Sequence, residues 1–197
     1  MRIAVFGATG RTGKLIVGDA LARGFEVRAL ARSPEKLDDL DALGLSVVRG
    51  DARDLAAVAA TLVGSDVVIS ALGATSRDDP KELSETTRIL LDALEAHGPK
   101  RIVAVLSAMA LMNKVKPEWE AIAGEHRCNL EGLRGSGLDW IAVCPSGLTD
   151  DPATGSIQTA VGKRAPEWTI SREDLTGFVL DQTGSDIYLR QAVGISN

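Results

Sequence analysis

The sequence is poor in the residues that build metal centres, disulfide frameworks and acid–base sites: it has two cysteines, two histidines and one tyrosine. Cys128 and Cys144 lack metal-type spacing, and two cysteines make no disulfide framework in a chain of 197 residues. Both are read as free thiols of a reducing compartment. Neither His97 nor His126 belongs to a cluster with metal-ligand spacing, so no metal is expected. No apolar run approaches the roughly 20 residues that a membrane helix needs. The chain opens on a strand-like run, not on a basic segment followed by an apolar one. A cytoplasmic protein with no membrane partner is the expectation. Net positive charge is lacking too: at −5 the chain has no general attraction for phosphate backbones, which argues against nucleic acid.

What is present is a rhythm. Ile3-Ala4-Val5-Phe6 is an unbroken apolar run, as a strand buried on both faces should be. Residues 12–23 then carry helical pairs, Ile16/Ala20 and Val17/Leu21, with Gly24 as a stop signal. The alternation continues with strands at 25–31, 45–49, 66–71, 102–106 and 138–143. Helices are expected from Ser33-Pro34-Glu35, at 55–62 behind Asp54, at 81–97 and at 117–134. Strict alternation predicts a doubly wound parallel α/β sheet, a Rossmann fold of order 3-2-1-4-5-6, with ligands beyond the carboxyl ends of its strands. The rhythm breaks after Pro145. Residues 146–197, with a helix at 171–180, are expected to form a substrate-side lid and end-piece on a single domain.

The turn Gly7-Ala8-Thr9-Gly10-Arg11-Thr12-Gly13 lies between the first strand and the first helix, the context that gives such a motif meaning. Gly7 permits the turn, Gly10 lets the backbone approach a pyrophosphate, and Gly13 lets helix and strand pack closely. Thr9, Arg11 and Thr12 stand where a helix N-terminus presents free N–H groups to phosphates. The second strand ends in Ala31-Arg32-Ser33, where an NAD site usually carries an acid on the ribose. A guanidinium there can pair bidentately with a 2′-phosphate, and Lys36 could add charge, so NADPH is expected over NADH. Asp51 and Ala52 follow the third strand, at adenine or as ordinary loop. Leu72 and Gly73, with Ala74 and Thr75, follow the fourth, where small residues leave room for ribose and pyrophosphate.

With these residues in hand, the chain resembles the atypical short-chain dehydrogenase/reductases, and within them the biliverdin-IXβ reductase/flavin reductase group and its NmrA-like relatives. The resemblance rests on the glycine turn, Gly50-Asp51, Glu95-Ala96-His97-Gly98, Leu106-Ser107-Ala108 and Arg134-Gly135-Ser136-Gly137-Leu138. Pro152-Ala153-Thr154-Gly155 and Ile170-Ser171-Arg172-Glu173-Asp174-Leu175 extend it over nearly the whole chain. It implies hydride transfer from NADPH to a flavin or a linear tetrapyrrole. Its cofactor contacts would fall on the glycine turn, Arg32, Asp51, Leu72, Gly73, Ser107 and Pro145. Where the biliverdin reductase has a histidine after its proline, this chain has Ser146-Gly147-Leu148. The NmrA-like relatives imply the alternative, a sensor or assembly protein that binds NADP without turnover. A monomer or weak dimer is expected.

The larger branch of that family uses a Tyr-x-x-x-Lys pair. Here the one tyrosine is Tyr188, and the residue four later is Ala192. What remains is hydride transfer that needs little acid–base help from the protein. Ser107 is the candidate catalytic residue in a positioning role, since an unshifted hydroxyl is a poor acid; it could equally be a helix cap. His97 reads as a helix C-terminal residue. His126 reads as packing or as a neighbour of the substrate pocket. Trp119, Met109, Leu111 and Met112 could wall an acceptor site or serve as core. Asp38-Asp39-Leu40-Asp41 reads as a solvated helix face.

Overall fold

The computed structural model describes residues 1–40, 43–73 and 81–197. Asp41, Ala74 and Thr75 lie outside them. Six strands follow the expected order: β1 (Arg2–Phe6), β2 (Glu26–Ala31), β3 (Leu45–Arg49), β4 (Val67–Ser70), β5 (Arg101–Val105) and β6 (Asp139–Pro145). Between them run α1 (Arg11–Ala22), α2 (Leu55–Leu62), α3 (Glu82–His97) and α4 (Glu120–Gly135). After β6 come β7 (Gly147–Thr149), β8 (Gln158–Val161), β9 (Thr169–Ser171), α5 (Arg172–Asp181) and β10 (Gln191–Ser196). No helix among the described residues is long and apolar enough to cross a membrane.

The main sheet reads β3-β2-β1-β4-β5-β6-β10-β8, parallel except for its last pair. It is a doubly wound Rossmann-type sheet. The alternation of each buried strand sorts its side chains between two cores. Ile3 and Val5 face α1 and α5 with Ile16, Val17, Leu175 and Val179, whereas Ala4 and Phe6 face the side covered by α2, α3 and α4. Each fully buried aliphatic side chain contributes about 1.5–3 kcal/mol, so the strands are committed on both faces.

Three local expectations change. The helix expected from Ser33 is a 3-10 segment, Pro34–Leu40, with only Leu37 buried. One anchoring side chain in so short and acidic a segment gives an α-helix little to pack on. β6, expected to end at Val143, runs two residues further and takes in Pro145 as its last residue, paired with Ile195. Its missing N–H costs nothing at a strand's last residue. Residues 146–197 also do more than append a lid. β10 enters the main sheet beside β6, and α5 covers the same face as α1. A Cβ at Gly194 would meet the Lys163 carbonyl oxygen at 2.3 Å, so the glycine serves a close backbone approach.

Asp174 ties this C-terminal region together. Its buried carboxylate accepts the N–H groups of Thr154 (2.8 Å) and Gly155 (2.9 Å) and the hydroxyls of Ser171 (2.9 Å) and Thr154 (3.1 Å). It also accepts from the Asn197 side-chain amide. Burial pushes the carboxyl up, but the donors from Thr154, Gly155 and Ser171 outweigh it, leaving the group below its ordinary range. A depressed folded pKa means that its contribution is present above the unfolded value, about pH 4, and is lost as pH falls through the folded one. Asp174→Asn is therefore expected to cost about 2 kcal/mol at pH 7, or about 4–8 °C in Tm. Thermal scans from pH 7 to pH 3 should show its deficit shrinking with acid. A constant deficit would assign the loss to shape and not to charge.

Candidate functional site

The glycine turn packs as its residue types require. Gly7 has φ +78, and a Cβ there would meet the Ala71 carbonyl oxygen at 2.4 Å. At Gly13 a Cβ would lie 2.0 Å from the Gly7 oxygen, which is where α1 presses on the end of β1. Gly10 differs: it is the N-cap of α1, and its Cβ would have one neighbour, the Gly7 oxygen at 3.3 Å. Two glycines are dictated by backbone packing, whereas the third leaves space open in front of the helix.

That space belongs to a cleft of about 600 Å³ along the carboxyl ends of β1, β2, β3 and β4. Gly7, Thr9, Gly10, Arg11, Thr12, Gly13, Arg32, Lys36, Asp51, Ala52, Leu72 and Gly73 all line it. Ser107 and Pro145 do not. Ser107 follows the end of β5 by two residues and Pro145 is the last residue of β6, the two strands being paired up to Val105 and Val143. From β2 to β5 is three strand spacings, roughly 14 Å. The expected residues thus fall into two groups separated along the sheet.

Electrostatics concentrate at the β2–β3 end. Asp51 accepts from the backbone N–H of Arg53 at 2.9 Å and from its guanidinium at 3.1 and 3.2 Å. Arg53, and more weakly Arg32, hold its carboxyl below the usual range despite partial burial. Arg32 lies between two carboxylates, 3.9 Å from Asp51 and 3.7 Å from Glu82. Glu82 was not singled out in the sequence, and Arg172, which also lines the cleft, was noted there only within the segment Ile170–Leu175 and with no site role. Arg172, 12% exposed, holds Asp150 at 2.5 Å, and Asp150 also pairs with Arg11 of the glycine turn. Neither contact is signalled locally, because each partner is remote in sequence.

The candidate at the other end is a cap as well as a strand-end hydroxyl. Ser107 Oγ accepts the Met109 N–H at 3.3 Å and opens the 3-10 turn Ala108–Leu111. A hydroxyl that accepts from its own turn still has its proton to donate. Met109, Leu111 and Met112 are half-buried around that turn, and Trp119 closes the short turn before α4. His97 is the last residue of α3. His126 is buried on α4, away from the cleft; burial lowers it to about 4, so it is neutral at pH 7, and its Nδ1 has no partner among the described residues. Burial pushes the Cys144 thiol up to about 12, which leaves it inert, while Cys128 is exposed. Tyr188 lies outside the cleft lining, its hydroxyl donating to Thr159 at 3.2 Å. Among the described residues no cluster could hold a metal ion.

Residues 7–186 match the family model described as NAD(P)H-binding. The chain belongs to this NAD(P)H-binding family. The glycine turn opens the matched region, which contains every lining residue of the cleft. A chloroplastic protein of Arabidopsis thaliana is 31% identical over 196 residues, covering 87% of this chain and 68% of that protein. Several other curated relatives are longer proteins of which the chain spans less than half. Among solved structures, an anaerobilin reductase from Escherichia coli O157:H7 superposes with a TM-score of 0.86 at 24% identity, over 100% of this chain and 97% of that one. A Streptococcus pneumoniae protein described as a candidate NADH-flavin reductase gives 0.85 at 24%, over 100% and 99%. Both likenesses are of fold. Membership of the family supports a nicotinamide cofactor for this chain.

Proposed function

We propose that the protein is an NADPH-dependent reductase that transfers hydride to a flavin or a similar flat acceptor. The observation that carries this reading is the split of the site: a charged cleft with Arg32 at its β2 end, and a strand-end pair, Ser107 and Pro145, at its β5–β6 end. Bound NADPH would supply the hydride, its two electrons and one hydrogen nucleus passing to the acceptor ring while solvent provides the second proton.

The chain's part is to bind, orient and exclude water. The free N–H groups at the start of α1, with Thr9, Arg11 and Thr12, take the pyrophosphate, and Gly10 leaves it room. Arg32 and Lys36 take the 2′-phosphate. Asp51 and Ala52 border the adenine; Leu72 and Gly73 flank the ribose. Ser107 orients the nicotinamide amide or the acceptor by hydrogen bonding, and Pro145 gives the ring an apolar, donor-free wall. Such positioning is where the rate comes from when no protein acid is needed. The deciding assay combines the purified protein and NADPH with FMN, riboflavin, dichlorophenolindophenol or biliverdin, and follows the nicotinamide absorbance. Oxidation of NADPH with a flavin is the expected result. Tight NADP binding with no turnover on any acceptor would overturn the reading in favour of a non-catalytic sensor or assembly role.

A further inference from the structure

One aromatic side chain outside the cleft is exposed without being loose. Trp168 is 68% exposed. Its carbonyl accepts the N–H of Gly147 at 2.8 Å, and the Glu167 carbonyl accepts the Ser146 hydroxyl at 2.9 Å. Both bonds pin the segment to the end of β6, directly after Pro145. The guanidinium carbon of Arg164 lies 3.9 Å from the Trp168 ring centroid and covers one face. Arg164 is itself held, donating to the carbonyls of Pro166 (3.0 Å) and Glu167 (2.8 Å). An indole backed on one face by a fixed cation, with most of its surface in water, offers its other face to a planar partner.

The β7–β9 ribbon measures where that face stands. Gly147 pairs with Thr169, next to Trp168, and Thr149 pairs with Ser171, next to Arg172. Arg172 lines the cleft at the glycine-turn end and reaches Arg11 through Asp150. At about 3.3 Å per residue, Trp168 lies roughly 13 Å along the ribbon from Arg172. On the reading above the adenine half lies at Arg32 and the reacting half toward β5 and β6, and Trp168 is bonded to Gly147, two residues past the last residue of β6.

We infer that Trp168 is the platform on which the acceptor stacks, and that it selects planar, electron-poor ring systems of the isoalloxazine type, with Arg164 fixing the indole. This rests on the reductase reading above. A π-rich indole favours such a ring by offset stacking as well as by buried area.

The test pairs kinetics with fluorescence, using FMN and riboflavin as probes. Trp168→Ala is expected to raise the KM for either flavin about tenfold while kcat and the KM for NADPH stay within about twofold. Trp168→Phe should restore most of the loss, since the ring remains. In the NADP⁺ complex, FMN should quench tryptophan emission in the wild type, and much less in either variant. An unchanged flavin KM with unchanged quenching overturns the platform while leaving the reductase reading intact. A penalty with FMN but not riboflavin also overturns it, since a phosphate and not the ring would then be recognised. A wild type without turnover overturns the reductase reading instead, and quenching at Trp168 alone then decides the platform.

Discussion

Replacing Gly13 by alanine should lower the Tm by about 10 °C or prevent folding, whereas the same change at Gly10 should leave the Tm within a few degrees and abolish tight cofactor binding. At Gly13 the new methyl would stand 2.0 Å from one backbone oxygen and 2.8 Å from its carbon, and no side-chain rotation relieves a clash with backbone. α1 would have to lift from the end of β1, where Ile16, Val17 and Ala20 are fully buried. Overpacking of this kind costs about 3 kcal/mol or more, and about 3 °C of Tm accompanies each kcal/mol in a chain of this size. At Gly10 the methyl would meet one atom at 3.3 Å, and φ is −73, so alanine is tolerated. The methyl would fill the approach that we assign to the pyrophosphate. Thermal scans and NADP⁺ titrations of the two variants separate the roles. Equal thermal losses would show that Gly10 is structural, and unimpaired binding by Gly10→Ala would remove the glycine turn from the phosphate site.

Arg32→Ala should weaken NADPH by about 10- to 100-fold and NADH by less than about threefold. A charge-assisted hydrogen bond to a phosphate is worth about 1.5–3 kcal/mol, and each 1.4 kcal/mol is tenfold. The large value applies because the bidentate pairing is specific to the 2′-phosphate; at 57% exposure solvent keeps it from the upper extreme. The carboxylates of Asp51 and Glu82 modify the outcome. Both sit within 4 Å of the Arg32 guanidinium, so a 2′-phosphate must draw the guanidinium from them while accepting their repulsion. Glu82→Gln should therefore tighten NADPH a few-fold, by removing repulsion of a dianion in a partly screened site. Isothermal titration with both cofactors is the measurement. Equal losses for NADPH and NADH in Arg32→Ala would mean that the arginine does not touch the 2′-phosphate, and weaker NADPH binding in Glu82→Gln would mean that the carboxylate helps to place Arg32.

The strands β1–β6 and the helices α1–α4 were legible because their signals are local. Buried parallel strands are apolar runs, and Asp54 capping Ala56 at 2.9 Å is a contact between near neighbours. The glycine spacing fits because Gly7 and Gly13 meet each other's backbone within one turn of chain. Past Pro145 the signals stop being local. β10 is a strand because β6 and β8 flank it, although its own residues include Gly194 and few large side chains. The 3-10 segment after Ser33 shows the converse: good capping chemistry did not make an α-helix without a face to bury.

The site divides in the same way. Sequence by itself determined the fold class, the glycine turn and the residues on the first four strand ends, since strand-end position follows from alternation and side-chain direction from the period of two. Only the tertiary structure decided what surrounds them. It brought Glu82 and Asp51 within 4 Å of Arg32, joined Arg11 to Arg172 through Asp150 and bonded the Trp168 carbonyl to Gly147 just past the end of β6. Each of those pairings closes a long loop of chain. Its free energy comes from the packed sheet that holds the two ends together, and no short stretch of sequence carries that information.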